Sequence, residues 1–307
     1  MLKYVFKRIV IGVLTMFLLA SITFFMMKII PGDPFSQDNK VLSPKAYEAL
    51  EAKYGLDKPL PEQFVIYLKN AVRGDFGESI SKTGQQVSDI IARRASATAQ
   101  LGGVAFIIAI TAGITLGIVA ALTKSRLVNN LITAFATIGV SIPSFLLAIL
   151  MMIVFGVKLG WLPLVGLKSP LHFVLPAISL ALSPISMITR LTRSSLKEEM
   201  NKDYILLARS KGTKELMVVL RHGLKNALLP VVTYSGPMFA FLVTGSFVIE
   251  SLFSIPGIGM EFTSSVINRD YTLIMGLTLF LGAIVIVMNL ISDVAVALID
   301  PRIKLEK

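Results

Sequence analysis

The chain has 307 residues, a formal net charge of +11, no cysteine and one tryptophan. Apolar residues make up 54% and charged residues 16%, against roughly 25% charged in an average soluble domain, and the mean hydropathy is +0.74. This composition excludes a disordered chain, a disulfide scaffold and an ordinary soluble enzyme, and it assigns the positive charge to loops flanking a membrane rather than to a nucleic-acid face.

A helix needs about 20 largely apolar residues to cross roughly 30 Å of hydrocarbon. The first stretch of that kind, residues 9–30, follows Lys3, Lys7 and Arg8. It is too long for a usual signal-peptide core, and Ile29-Ile30-Pro31-Gly32-Asp33 offers no small-residue cleavage site, so an uncleaved span is expected. Residues 31–94 then form a small, mostly helical extracytoplasmic cap. Ser43 can cap a helix with Pro44 at its first position and Gly55 at its stop. Pro61 opens a second amphipathic run with Phe64, Tyr67, Leu68 and Val72 on one face, and Gly74-Asp75-Phe76-Gly77 ends it.

Further spans are expected at residues 101–122, 131–157, 171–189, 229–249 and 273–299, giving six in all. Pro143, Pro184 and Pro237 lie deep inside three of them, and each removes a backbone hydrogen bond and should kink its helix. Such breaks either pack against neighbours or line a cavity. Lys28, near the outer end of the first span, can snorkel, and Glu250, at the outer end of the fifth, can reach water. Asn289 and Asp293 sit four residues apart on one face of the sixth span, where they suit either polar positions of a cavity, including a proton site, or an interhelical hydrogen bond. His172 and His222 look structural or solvated.

Between the fourth and fifth spans, residues 190–226 carry nine Lys or Arg and four acids. With six spans this loop, Lys124 and Arg126, and the basic C-terminal tail all fall on the side of the N-terminus, so both termini are expected in the cytoplasm. The loop is longer than a connector needs and holds two short helices, one from Asp203 as cap to Gly212, the next from Thr213 with Leu216, Val219 and Leu220 at helical spacing. Such a hairpin suits either an anionic lipid surface or a docking element for a cytoplasmic partner. Ser254-Ile255-Pro256-Gly257-Ile258-Gly259, between the last two spans, suits either a plain turn or a re-entrant outer gate facing a binding protein, with Pro256, Gly257 and Gly259 as its contact residues.

Several segments together resemble a known family. Asp203-Tyr204 followed by Ala208-Arg209-Ser210-Lys211-Gly212 and then Leu220-Arg221-His222, with Lys225 to Pro230 beyond, resembles the cytoplasmic "EAA" loop of ABC-importer permeases in its oligopeptide/dipeptide/nickel version. Other matching stretches are Pro31-Gly32-Asp33-Pro34, Tyr54 to Leu60, Gly74 to Gly77, Ser141-Ile142-Pro143-Ser144-Phe145, Leu159 to Pro163, Phe253 to Gly259, Arg269-Asp270-Tyr271 and Asp300 to Lys304. The chain departs from the general motif in carrying Leu206-Leu207-Ala208 where Glu-Ala-Ala stands, so no glutamate takes the motif's first role, and the stretch from Gly212 to Pro230 is longer.

The resemblance, nearest to the B-type subunit of oligopeptide importers, implies an all-α polytopic membrane protein with the type I ABC-importer permease fold. It divides the chain into the N-terminal tail and first span at 1–30, the cap at 31–94, and a five-helix core at 95–307 whose coupling loop lies at about 190–230. It implies a second homologous permease subunit, two cytoplasmic ATPase subunits, an extracytoplasmic peptide-binding protein and the inner membrane of a prokaryote. Asp203, Tyr204, Ala208, Arg209, Lys211 and Gly212 are the residues it places in coupling to the ATPase, with Ala208 small enough for close approach and Gly212 in a left-handed turn. Dipeptides, nickel and glutathione are alternative cargoes on the same motifs, and an ion-coupled secondary transporter using Asp293 is the reading from a different class. No Gly-Lys pair occurs anywhere, so the chain lacks a phosphate loop, and ATP and Mg belong to partners. No zinc-hydrolase or serine-hydrolase motif is present, and no metal or cofactor site is expected.

Overall fold

Helix punctuation explains the element order in the computed structural model, which describes residues 2–29, 34–35 and 43–299. Residues Pro31-Gly32-Asp33, where no cleavage site is expected, and residues 300–304 lie outside the described residues. The helices are α1 (Leu2–Ile29), α2 (Pro44–Tyr54), α3 (Leu60–Ala71), α4 (Val87–Leu122), α5 (Arg126–Ser141), α6 (Ser144–Met151), α7 (Val174–Glu199), α8 (Asp203–Ser210), α9 (Glu215–Met217), α10 (Leu224–Ala227), α11 (Leu229–Val243), α12 (Phe247–Leu252), α13 (Ile258–Ile267) and α14 (Tyr271–Ile299). π-helical turns extend α6 over Met152–Lys158 and join α9 to α10 over Val218–Gly223. Among the described residues there is no strand, only an isolated bridge between Glu78 and Gln86.

Five helical stretches are long and apolar enough to cross a membrane: Phe6–Ile29, Val87–Leu122, Pro170–Glu199, Leu229–Leu252 and Tyr271–Ala295. The expected third span is not one helix. Its two halves, Arg126–Ser141 and Ser144–Lys158, meet at 106°, so the described residues hold five candidate spans, or six if this bent pair counts as one. The cause is Pro143. It has no amide to donate, and it forces Ile142 into extended backbone at φ −84°, ψ 124°. Pro184 and Pro237 stay inside continuous helices.

Two compact units emerge, Ala99–Ile255 with Val287–Lys307, and Leu2–Thr98 with Pro256–Ile286. This grouping differs from the division at residues 30 and 94, because the cap residues fasten onto segments far along the chain. In the second unit, Ala20, Phe24 and Met27 of α1 pack against Ile274, Met275 and Leu279 of α14, with Phe64, Tyr67 and Leu68 of α3 laid over them. Val72 departs from the expected face and is 88% exposed. Ser43 caps α2 through its hydroxyl, and Gly55 closes that helix at φ +65°, as the sequence implies.

Asp270 is the clasp of this unit. It is fully buried and accepts hydrogen bonds from the hydroxyls of Ser79, Ser81 (2.6 Å) and Thr272 (3.0 Å) and from the amides of Ile80 (3.1 Å), Ser81 (3.0 Å) and Leu273 (3.1 Å). Burial pushes its carboxyl up, but the donors from Ser79, Ser81 and Leu273 outweigh that and hold it below the usual range. The same side chain caps α14. Beside it, buried Glu261 takes Lys82 and, at 2.9 Å, Arg94.

In the first unit α7 is central and packs against α5, α6, α10, α11 and α12. Arg190 donates to the Ala136 carbonyl (3.2 Å) and Arg193 to Asn129 (3.1 Å), tying α7 to α5. Gly113 and Gly117 let α4 approach α7 closely, since a Cβ at either would fall within 2.7 Å of Ile188 or 2.5 Å of Thr192. Glu250 does not reach water as expected, being fully buried, because α12 is folded against α6 and α7.

Candidate functional site: the loop after α7 and a proline-lined cavity

The loop at 200–228 is a folded hairpin rather than a tether. Ile205 and Ala208 turn one face of α8 inward onto Val218 and Met200, while Val219 and Ala227 close onto Leu196, Ile118 and Ala121. The other face presents exposed Leu206 and Leu207, continued by exposed Leu216 and Leu220. Ala208 is therefore placed differently from the expectation. Its small side chain permits close approach within the loop, and the outward apolar surface belongs to the leucines.

Gly212 sits at φ +77° and closes α8 with paired hydrogen bonds, Gly212 N–H to the Arg209 carbonyl (2.9 Å) and Thr213 N–H to the Ala208 carbonyl (3.3 Å). Across this turn Arg209 grips Glu215 with both Nε (3.1 Å) and a terminal nitrogen (2.6 Å). Asp203 is the first residue of α8 rather than its cap. Lys202 holds the cap position without a side-chain bond, and the next helix starts at Glu215 rather than Thr213. Lys211 is exposed at the end of α8.

A second set of contacts fastens the loop to the end of α7. Tyr204 donates its hydroxyl proton to Glu199, Asn226 Nδ2 donates to Tyr204 Oη (3.1 Å), and Lys202 Nζ lies 2.5 Å from Glu199. Burial, followed by the Glu199 carboxylate, pushes the Tyr204 phenol up, so it remains a donor. Glu199 and Asn226 were missed by sequence reasoning. The available signal was an acid just before a turn with Tyr at the following helix's start.

The three prolines singled out in the sequence converge. Pro143, Pro184 and Pro237 line one cavity of about 530 Å³, together with Ser141, Ser144, Ser183, Tyr234 and Ser246. Polar hydroxyls and proline rings thus share a concave surface built from the bend between α5 and α6, from α7 and from α11. Asn289 and Asp293, suited by sequence to either a cavity or an interhelical hydrogen bond, do not line this cavity. Both are half-buried; the Asn289 Oδ1 has no hydrogen-bond partner among the described residues, whereas Asp293 is engaged. Pro256 is exposed and Gly257 and Gly259 are buried. Gly257 directly precedes α13, whose Ile258 amide donates to Thr98 Oγ1 (2.8 Å). His172 bonds Ser169 (2.9 Å) and His222 is exposed, so neither is placed for chemistry.

Membrane-length helices, a hydroxyl-lined cavity at the bend between α5 and α6 and a folded loop with an apolar outer face fit a component of a membrane transport system. Residues 113–305 match the family described as "Binding-protein-dependent transport system inner membrane component", and residues 1–102 match its N-terminal counterpart, "Binding-prot-dependent transport system membrane comp, N-term". The chain belongs to this family of multi-pass inner-membrane permeases. It is 41% identical over 307 residues to the dipeptide transport system permease protein DppB of Bacillus subtilis (strain 168), covering 100% of this chain and 99% of that protein. It is 40% identical over 306 residues to the oligopeptide transport system permease protein OppB of Escherichia coli (strain K12), covering 99% and 100%. The fold is shared with the inward-facing MetNI methionine ABC transporter, at TM-score 0.58 and 19% identity over 69% of this chain and 96% of that one. An amino acid ABC transporter gives TM-score 0.53 at 14% identity, over 70% and 95%.

Proposed function

We propose that the chain is one of two different permease subunits of an ATP-driven importer that moves oligopeptides, received from an extracytoplasmic binding protein, into the cytoplasm by alternating access. The observation that carries this reading is 39–41% identity to peptide permeases across essentially the whole of both chains. The relatives' names put dipeptides beside longer peptides as cargo. Family membership leaves the ion-coupled secondary transporter without support. Both termini and the loop at 200–228 are cytoplasmic, the cap at 31–94 is extracytoplasmic, and ATP hydrolysis with its Mg resides in two ATPase subunits.

In this mechanism the exposed leucines of α8 and its successor seat in an ATPase groove. Closure of the ATPases moves the hairpin as a rigid body, because Glu199, Tyr204 and Asn226 fasten it to α7 and α10. The motion reaches the proline-lined cavity through α7 and α11, which flank the loop and contribute Pro184 and Pro237. Exposed Pro256 belongs to the outer surface met by the binding protein, and buried Gly257 and Gly259 pack behind it rather than touching the partner. Mild-detergent purification of the tagged chain tests the assignment. A second permease and P-loop ATPases with vanadate-sensitive hydrolysis are expected to co-purify, and repeated recovery of a lone monomer or homodimer would overturn it.

A further inference from the structure

The unit formed by Leu2–Thr98 and Pro256–Ile286 holds a second cavity, of about 350 Å³, whose chemistry the transport reading does not use. Its walls differ in character. Phe24, Met27 and Met275, from the apolar spans, form one side, while polar residues of α2 and α3 and the segment after each form the other. Three lysines line it. Lys53 is neutralised by Glu78 at 2.8 Å and Lys58 by Glu62 at 3.1 Å. Lys28 has no carboxylate partner among the described residues. Its ammonium lies 5.8 Å from the ring centre of Phe24 and 5.1 Å from that of Tyr271, held over aromatic faces instead of snorkelling away. Tyr67 also lines this cavity, and its hydroxyl is buried with no hydrogen-bond partner among the described residues.

Two donor-bearing residues, one of them cationic, thus line one half-open cavity with no hydrogen-bond or carboxylate partner among the described residues, while the carboxylate in its lining, Asp75, accepts from the Gly77 amide (2.9 Å). A buried hydroxyl and a half-buried ammonium left in that state are each costly, and an anionic oxygen satisfies both. Burial pushes the Tyr67 phenol up, which keeps its proton available for donation. Lys28 is one residue from the end of the first span and Tyr271 begins the last, so the cavity lies where the spans meet the headgroup layer. Its apolar wall suits acyl carbons and its donors suit a phosphate.

We propose that this cavity binds an anionic phosphate group, with the headgroup of an anionic phospholipid as its source, through Lys28 and Tyr67. The full chain, purified in mild detergent, is tested by native mass spectrometry against phosphatidylglycerol, diacylglycerol and inorganic phosphate. Wild type should retain phosphatidylglycerol and neither of the other two. Lys28→Gln should weaken retention about tenfold or more, Tyr67→Phe, which keeps the cavity's shape, about threefold to fivefold, and Lys58→Gln, whose charge is already paired, hardly at all. A thermal melt of each variant separates lost binding from lost folding. Equal retention by wild type and Tyr67→Phe at equal melting temperature, or equal retention of diacylglycerol and phosphatidylglycerol, overturns the site. Retention of inorganic phosphate as strong as that of phosphatidylglycerol overturns the lipid source.

Discussion

Replacing Gly212 isolates one physical term. The residue sits at φ +77°, yet a Cβ built there meets nothing within 4 Å, so a side chain costs backbone strain and no clash. An L-residue held in the left-handed region costs roughly 1–2 kcal/mol, less for Asn and more for a β-branched residue. That is roughly a 5- to 30-fold shift in the balance between closed and opened turn. The hydrogen bonds from Gly212 and Thr213, and the Arg209–Glu215 pair across them, open with it. The assay is peptide uptake into proteoliposomes containing the assembled transporter and its binding protein, with ATP hydrolysed per peptide measured alongside. Gly212→Asn should remain near wild type, Gly212→Ala should fall severalfold, and Gly212→Val and Gly212→Leu should fall furthest, all at unchanged membrane abundance. Full uptake with an unchanged ATP-to-peptide ratio in Gly212→Val refutes the reasoning, as does an equal loss in Asn and Val, since the effect would then be steric.

Four further outcomes follow from named contacts. Tyr204→Phe removes the proton shared with Glu199 and the acceptor for Asn226, at about 1 kcal/mol because Tyr204 is partly exposed, and should speed hydrogen exchange of the α8 amides severalfold; unchanged exchange removes the latch. Glu261→Ala strands Lys82 and Arg94 and should cost about 2–3 kcal/mol, read as a lower denaturation midpoint, below the figure for a fully buried pair because both cations reach solvent. Asp270 has a depressed folded pKa, so its contribution is complete above about pH 5 and is lost as pH falls below about 4. Exchange protection at Ile80 and Ser81 should therefore drop in acid for wild type and show no such step in Asp270→Asn, and an identical pH profile in both counts against the clasp. Ser183→Trp places a large ring in the cavity of about 530 Å³ and should block uptake without loss of assembly, and unimpaired uptake would place the path elsewhere.

Local chemistry was legible in the sequence, and long-range pairing was not. Ser43, Pro44 and Gly55 announce α2, and Gly212 announces the end of α8, because caps and left-handed turns depend on a few adjacent residues. Pro143 was recognisable as a break, but a missing amide does not set its size, and the 106° bend depends on what α6 packs against. Gly113 and Gly117 spell a small-residue contact motif that was readable and went unread. Glu250, Glu261 and Asp270 resisted reading for a physical reason. A carboxylate's fate depends on its donors, and apart from Thr272 and Leu273 beside Asp270, those of Glu261 and Asp270 come from 167 to 191 residues away. In the loop, the inward turn of Ala208 follows from Val218 and Met200, which no helical period within α8 reveals.

The Asp270 clasp also sets an order of events during synthesis. Ser79, Ile80 and Ser81 leave the ribosome 189 to 191 residues before their acceptor exists. At about 5–20 residues per second, that is roughly 10–40 s in which the segment before α4 has no carboxylate to close on. The carboxylate that ends the wait is also the cap of the last span, so the early segment is fastened by the residue at which that span begins. A chain that stalls or is cut before residue 270 lacks this acceptor and leaves the segment unfastened and open to proteases. The clasp thus acts as a completion mark, closing once the final helix has been made.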